Sequence, residues 1–327
     1  MTADTKKKFI SVDIMRVLAC FLIVNFHCMY LYPRELSQLS FGGDLGNNSF
    51  FLVSGFLLAS SVRNTDIKDF GRWIAKRYLK ILPMCFVFNL LGYIFIKNRA
   101  LVPNPFHSFI FPTVYWFTGA LILFYPLFFL VKKINKKSVT IMTVIILMAL
   151  HLYFDSLWAE RFFIGFIAML CGGGLWFYLT GEDHRDMSKL CLLLTPLSFG
   201  IFAALKIAYS KGVGDHRLIH LLIGFATIAT AGSFLIFLYE LEGKHKEKIS
   251  RCGMLCGPVS LISSMTLSVY LTHCFLIYTM QGFFAGLGFP LSIASFVICA
   301  FAVAYLVHRI DGFLRQRIRS KKKGAGE

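Results

Sequence analysis

Three ionisable side chains lie within the first long apolar stretch of the sequence, at Asp13, Arg16 and His27. Asp13 and Arg16 are three residues apart, so on a helix they share a face and can neutralise each other. His27 follows Arg16 by eleven residues, close to three helical turns, and lies about 16 Å further along the axis. A cation and a titratable base on one stripe make this group a candidate catalytic site. Two structural explanations remain open: an Asp13–Arg16 pair that fixes topology, and a His27 that hydrogen-bonds a neighbouring helix.

A second group of charged residues, Lys76, Arg77 and Lys80, precedes Pro83. Arg77 and Lys80 are three residues apart and share a helical face. Cations grouped in this way can hold the phosphates of an anionic ligand. The alternative is the ordinary excess of positive charge that marks the cytoplasmic ends of membrane spans.

Polar and aromatic residues in later apolar stretches complete the candidate set, as residues that could line a substrate site. They are Ser54, Trp116, Tyr270 and His273. Tyr270 and His273 share a helical face. For Ser54, helix packing beside Gly55 explains the residue at least as well as a direct role. For Trp116, the aromatic belt at a membrane interface is the default explanation.

The elements that must position these residues are membrane helices. The chain has 327 residues, of which 57% are hydrophobic and 16% charged, against about 45–50% and 25% in soluble proteins. The mean hydropathy of +0.66 excludes an ordinary soluble protein and argues against nucleic acid as the partner of the +17 net charge. We predict an all-α polytopic membrane protein, embedded in the lipid bilayer through about ten transmembrane helices. The predicted spans are 9–31, 44–62, 78–97, 114–132, 138–154, 160–180, 189–209, 217–239, 258–283 and 290–311.

The basic residues predict the orientation of these spans. Of 34 Lys and Arg residues, 26 lie on the side that carries both termini, 7 lie on the opposite side, and Arg16 lies within a span. Cytoplasmic loops carry the excess of Lys and Arg. We therefore predict a multi-pass protein of the plasma (inner) membrane with both termini in the cytoplasm. Residues 1–327 are expected to form one membrane domain, with a core at 9–311 and a basic cytoplasmic tail at 312–327.

Cysteine usage predicts no metal site. Most of the nine cysteines fall inside spans, where Cys behaves as a small apolar residue. Cys252 and Cys256 flank a predicted cytoplasmic loop, but no second pair of ligands accompanies them. We expect no structural disulfide on the cytoplasmic side.

Taken in order, these motifs resemble the acyltransferase 3 family of integral-membrane acyltransferases. The family pattern is Asp-x-x-Arg…His, then Phe-Phe-x-x-Ser-Gly-Phe-Leu, then Arg-x-x-Arg-Ile-x-Pro, then Trp-Phe, and finally Tyr-x-x-His. The matching positions are Asp13, Arg16 and His27, then Phe50 to Leu57, Arg77 to Pro83, Trp116-Phe117, and Tyr270 with His273. The chain departs from the family at Lys80, which stands in the second Arg position. It also lacks an acidic residue at 118–122, so it resembles a short subgroup without an extracytoplasmic domain.

The resemblance implies an enzyme that transfers an acyl group, usually acetyl from acetyl-CoA, to a hydroxyl of a cell-surface glycan or lipid-linked sugar. Its implied site contains His27 as general base or acyl carrier together with Arg16 and Asp13. Lys76, Arg77 and Lys80 would bind the acyl donor. The alternative is a transporter or flippase for a glycan or lipid precursor, but such proteins often contain internal repeats, and none stands out here. The acceptor, the acyl group and the oligomeric state are left open.

Overall fold

The computed structural model describes residues 9–98, 115–134, 137–154, 157–182, 184–245 and 253–324. Within these ranges the chain forms eleven α-helices and no strand. The predicted all-α polytopic membrane fold is therefore confirmed. Cys252 and the last residues of the predicted tail lie outside the described residues, whereas Cys256 is half-buried.

The helices follow the predicted apolar runs closely, and three 3-10 turns occur between them. The helices are α1 Ile10–His27, α2 Gly43–Arg63, α3 Phe70–Phe95, α4 Trp116–Ile134, α5 Lys137–Phe154, α6 Leu157–Leu179, α7 Ser188–Ser210, α8 His216–Lys244, α9 Gly253–Ser264, α10 Thr266–Gly286 and α11 Leu291–Gly324. The 3-10 turns are Cys28–Tyr30, Arg34–Leu39 and Ile67–Asp69.

Eight of the described helical segments are long and apolar enough to cross a membrane. A ninth candidate consists of Cys256–Ser264 and Thr266–Gly286, which pass together as a pair broken at Met265. The fifth predicted span corresponds to α5, whose apolar part Ser138–His151 is shorter. The sequence predicts one uninterrupted span at 258–283, so the break at Met265 is a difference that the structure reveals.

The chain divides into two compact units. The first contains residues 1–22, 42–74 and 123–263, and the second contains 23–41, 75–122 and 264–327.

In the first unit, α2 packs against α6 and α8. The approach of α2 to α6 depends on glycine. A Cβ on Gly55 would lie 1.9 Å from the carbonyl oxygen of Met169, and one on Gly172 would lie 1.8 Å from that of Leu52. Small residues of this kind let membrane helices come into backbone contact. The Asn48 side chain donates a 2.7 Å hydrogen bond to the Thr227 hydroxyl of α8. This hydrogen bond links α2 to α8.

The start of α1 is also held within the first unit. The carboxylate of Glu242 in α8 accepts hydrogen bonds from the backbone amides of Ile10 and Ser11, at 3.1 and 2.9 Å, and from the Ser11 hydroxyl at 2.6 Å. The first amides of a helix have no partner within the helix, and a carboxylate there also interacts favourably with the helix dipole. Glu242 therefore fixes the start of the helix, on which Asp13 and Arg16 lie.

In the second unit, α10 packs against α11. The Thr272 hydroxyl donates to the Ala300 carbonyl at 3.3 Å, and the rings of Phe284 and Phe296 meet edge to face. The segment after α1 folds back on its last turn, where the Asn25 side chain donates to the carbonyl of Leu39 at 2.8 Å. These contacts hold α10, which carries His273, and the last turn of α1, which ends at His27.

Candidate active site

Asp13 and Arg16 share a hydroxyl partner in the first unit. The Ser263 hydroxyl donates to Asp13 at 2.5 Å and accepts from the Arg16 guanidinium at 3.2 Å. Ser260 donates to the second Asp13 oxygen at 3.0 Å. Asp13 is buried and Arg16 is half-buried. An unpaired charge would be costly at such a position, and the two serine hydroxyls give the carboxylate its hydrogen-bond partners. The i,i+3 pair thus becomes a small network between α1 and α9.

His27 is the last residue of α1 and lies in the second unit, half-buried. Its imidazole lies beside that of His273, with ring centroids 5.0 Å apart, and its centroid is 6.3 Å from that of Tyr278. The sequence predicts His27 and His273 as separate candidates, and the structure brings them together. Two neighbouring imidazoles can hold and pass a proton.

The hydrogen bonding of His273 defines which of its nitrogens carries a hydrogen. His273 is fully buried, and its Nδ1 lies 2.8 Å from the Val269 carbonyl oxygen. Since a carbonyl only accepts, Nδ1 must donate, and in the neutral ring Nε2 then presents a lone pair. Nε2 lies 3.4 Å from the Cys274 sulfur. The ring is thereby fixed with its acceptor nitrogen facing other reactive groups.

Aromatic side chains extend this cluster toward the start of α4. The rings of Tyr270 and His273 lie 5.7 Å apart, and those of Tyr115 and Tyr270 lie 6.4 Å apart. The Tyr270 hydroxyl accepts a long 3.4 Å hydrogen bond from the Phe117 amide, one of the first amides of α4 that lack a helical partner. The hydroxyl of fully buried Tyr115 has no hydrogen-bond partner among the described residues. A buried hydroxyl of this kind needs a partner, and a bound hydroxyl compound can provide one. Trp116, in contrast, is half-buried and stacks edge to face on Phe117.

The predicted basic segment lies on α3, where Lys76 and Lys80 are exposed and Arg77 is half-buried. Sequence reasoning missed a further cation, Arg315, which lies beside these residues. Pro83 has no amide hydrogen, which leaves the carbonyl of Leu79 without its helical donor. Arg315 of α11 donates to that carbonyl and to the carbonyl of Lys80, both at 3.0 Å.

The predicted basic tail is therefore not separate from this region. It continues α11 to Gly324, and Asp311 holds the Arg315 guanidinium at 2.6 Å. The i,i+4 spacing of Asp311 and Arg315 is the one sequence signal that could have indicated an ordered basic residue there.

Ser54 differs from the other candidates because it lies half-buried in α2, within the helix packing of the first unit. Its neighbour Gly55 provides the close approach to α6. The Phe-Phe-x-x-Ser-Gly-Phe-Leu motif is thus explained in large part by packing.

Sequence reasoning also missed Ser263 and Cys274. Ser263 bridges Asp13 and Arg16, and Cys274 adds a thiol beside His273. A serine and a cysteine in an apolar run are ordinary helix-packing residues, so no sequence signal separates them from their neighbours. Only the fold shows which polar groups they meet.

Comparison with known proteins supports the family resemblance. No curated protein and no solved structure matches the chain. The family described as "Acyltransferase domain", acyltransferase 3, matches residues 9–309. This range includes the candidate residues on α1, α3, α4 and α10, and it favours the enzyme over the transporter. The chain therefore belongs to the acyltransferase 3 family and is an integral-membrane acyltransferase.

Proposed function

We propose that this acyltransferase moves an acetyl group from acetyl-CoA to a hydroxyl of a cell-surface glycan or lipid-linked sugar, with His27 at the reaction centre. The observation that carries the proposal is the pairing of half-buried His27 with His273, whose Nε2 presents a lone pair. A base that is partly accessible and lies beside a second imidazole suits proton removal from a hydroxyl.

The donor end of the reaction is assigned to the cations of α3. The phosphates of CoA are anionic, and Arg77, Lys80 and Lys76 would bind them by charge-assisted hydrogen bonds. Arg315 adds a fixed positive charge next to Lys80. Arg16, earlier on the helix that ends in His27, would bind the donor deeper in the membrane. Its guanidinium donates to the Ser263 hydroxyl, which donates in turn to Asp13.

The chemical step can follow either of two routes. In the first, His27 takes the proton of the acceptor hydroxyl as its oxygen attacks the thioester carbonyl. The carbon–sulfur bond then breaks, and the departing CoA thiolate receives the proton from His27. In the second, the His27 nitrogen attacks the thioester carbonyl, the carbon–sulfur bond breaks and CoA leaves as a thiolate. The acceptor hydroxyl then attacks the acyl group on His27, the carbon–nitrogen bond breaks, and the hydroxyl proton passes to the CoA thiolate.

The acceptor end is assigned to the aromatic cluster of the second unit. The Tyr115 hydroxyl, which has no partner among the described residues, would give an entering sugar a polar contact, and the Tyr270 ring lies beside it. The acceptor side would be extracytoplasmic, in a plasma (inner) membrane protein with both termini in the cytoplasm, as the distribution of Lys and Arg predicts.

Mass spectrometry of surface glycans and lipid-linked sugars, from cells with and without the protein, tests this proposal. We expect a mass gain of one acetyl group on one class of molecule, lost when His27 is replaced by Ala. A succinyl gain would correct the donor. No acyl difference between the cells, together with acceptor translocation that needs no acyl-CoA, would overturn the proposal.

A further inference from the structure

His27, His273 and Cys274 form a cluster with the spacing of metal ligands. Their ligand atoms all lie within 4.8 Å of one another. Within the described ranges, no other group of three or more His, Cys, Asp or Glu residues meets this spacing. All three residues belong to the second unit.

The distances match those that a bound ion would require. With Zn–N of about 2.0 Å and Zn–S of about 2.3 Å, tetrahedral geometry places the nitrogen and sulfur about 3.5 Å apart. The His273 Nε2 and Cys274 Sγ lie 3.4 Å apart. Little rearrangement would be needed to place an ion between them.

The second nitrogen of His273 adds independent support. Metal-binding histidines almost always donate their other ring N–H to a carbonyl or carboxylate, which fixes the ring and raises its basicity. His273 does this through the Val269 carbonyl at 2.8 Å. Its Nε2 is thereby oriented as a ligand.

The chemistry of the three donors indicates the class of ion. Two imidazoles and a thiolate suit soft or borderline metals, and thiolates favour Cu⁺ and Zn²⁺ over Mg²⁺ or Ca²⁺. His273 and Cys274 are almost completely buried, and coordination to the ion would make the thiol release its proton to solvent, as metal-bound thiols do. Three protein ligands also leave one position open at a tetrahedral ion.

We propose that His27, His273 and Cys274 bind a thiophilic d¹⁰ ion, Zn²⁺ or Cu⁺, and that the ion occupies the lone pair of His27 needed for acyl transfer. The site would act as a metal-dependent brake on the enzyme. Metal binding does not depend on the proposed function, whereas its effect on turnover does. This inference departs from the sequence-based expectation of no metal site, because the ligands come from helices far apart in the chain.

The test uses the full chain, purified in detergent, stripped with a chelator and reloaded with Zn²⁺, or with Cu⁺ under reducing conditions. Mass spectrometry for elements then gives the ions bound per chain, and X-ray absorption gives their ligands. We expect one ion with one sulfur and two imidazole ligands. Competition between the two metals then gives the ion that the site binds more tightly.

Variants locate the site. Cys274→Ala and His273→Gln should weaken binding by at least about 100-fold, because even groups that only orient metal ligands contribute about 10- to 100-fold. The matched control is Cys191→Ala, another buried thiol that lies in α7 of the first unit, and it should bind as the wild type does. Gel filtration checks that each variant is folded. If His273→Gln fails to fold, the sulfur ligand detected by X-ray absorption in wild-type protein still tests the proposal.

Two results would overturn the proposal: wild-type protein that retains neither ion, or Cys274→Ala that binds as tightly as wild type. A Zn²⁺ titration of acyl transfer then tests the brake, with inhibition expected in wild type and lost in Cys274→Ala. Turnover without metal binding refutes only this inference. Metal binding by a protein that transfers no acyl group refutes only the proposed function.

Discussion

The imidazoles of His27 and His273 lie beside each other, with ring centroids 5.0 Å apart. The first residue ends α1 and the second is buried in α10. One residue of the first sequence motif and one of the last therefore lie side by side, within one compact unit.

His273 is expected to act as a positioning residue for His27. We expect His273→Ala to lower kcat by about 10- to 100-fold, in the range found for groups that orient an active-site ligand, with little change in KM for the acyl donor. His273→Gln, whose amide can both donate and accept, should recover part of the loss. Steady-state kinetics on protein of equal folded fraction measure this. Thr279→Val on the same helix is the control, and a loss of folded protein with unchanged kcat would indicate a purely structural role.

Arg16 is expected to contribute to binding of the acyl donor and not to the stability of the fold. In Arg16→Ala the Asp13 carboxylate keeps the hydroxyls of Ser260 and Ser263, so membrane insertion should persist while acyl transfer is lost. Arg16→Lys should recover part of the activity, since Lys keeps the charge but not the guanidinium geometry. Membrane yield and transfer from labelled acyl-CoA are measured together. Loss of yield in parallel with activity would assign the residue to stability.

The cations of α3 are expected to determine donor affinity. Arg77→Ala and Lys80→Ala should each raise KM for acyl-CoA by about 10-fold, which corresponds to about 1.4 kcal/mol, with kcat nearly unchanged. Lys80→Arg should lower KM, because Arg can bind phosphate in a bidentate manner. Kinetics at two salt concentrations check the electrostatic origin. Arg72→Ala is the control, since Arg72 is exposed and pairs with Asp69 at 3.1 Å; an equal rise there would point to general surface charge.

The glycines of α6 allow a matched comparison of packing. A Cβ at Gly172 would lie 1.8 Å from the Leu52 carbonyl oxygen, whereas one at Gly174 meets nothing within 4 Å. Gly172→Ala should therefore destabilise the first unit by about 1–3 kcal/mol or more, as overpacking does. Gly174→Ala should be neutral or stabilising by up to about 1 kcal/mol, the difference in helix propensity. Thermal unfolding in detergent compares them, and equal effects would contradict the close crossing of α2 and α6.

The sequence allowed the helices to be predicted, because long apolar runs in a membrane protein have to satisfy their backbone internally. It also allowed His27, Arg16 and the α3 cations to be singled out, because charges in or near such runs are costly. It did not predict the break at Met265, the Ser263 bridge or the contacts of Arg315. Each of these depends on which helices meet. The sequence also did not single out Cys274. A thiol next to a histidine becomes a candidate ligand only when the fold brings His27 close to it.

The most direct test of the central claim is acyl transfer from labelled acetyl-CoA by membranes that contain wild type or His27→Ala at equal amounts. General-base groups contribute about 10²- to 10⁴-fold, and an acyl carrier contributes at least as much. We therefore expect transfer by His27→Ala to fall by at least about 100-fold, to the background of membranes without the protein. Wild-type turnover in His27→Ala would show that the reaction centre lies elsewhere.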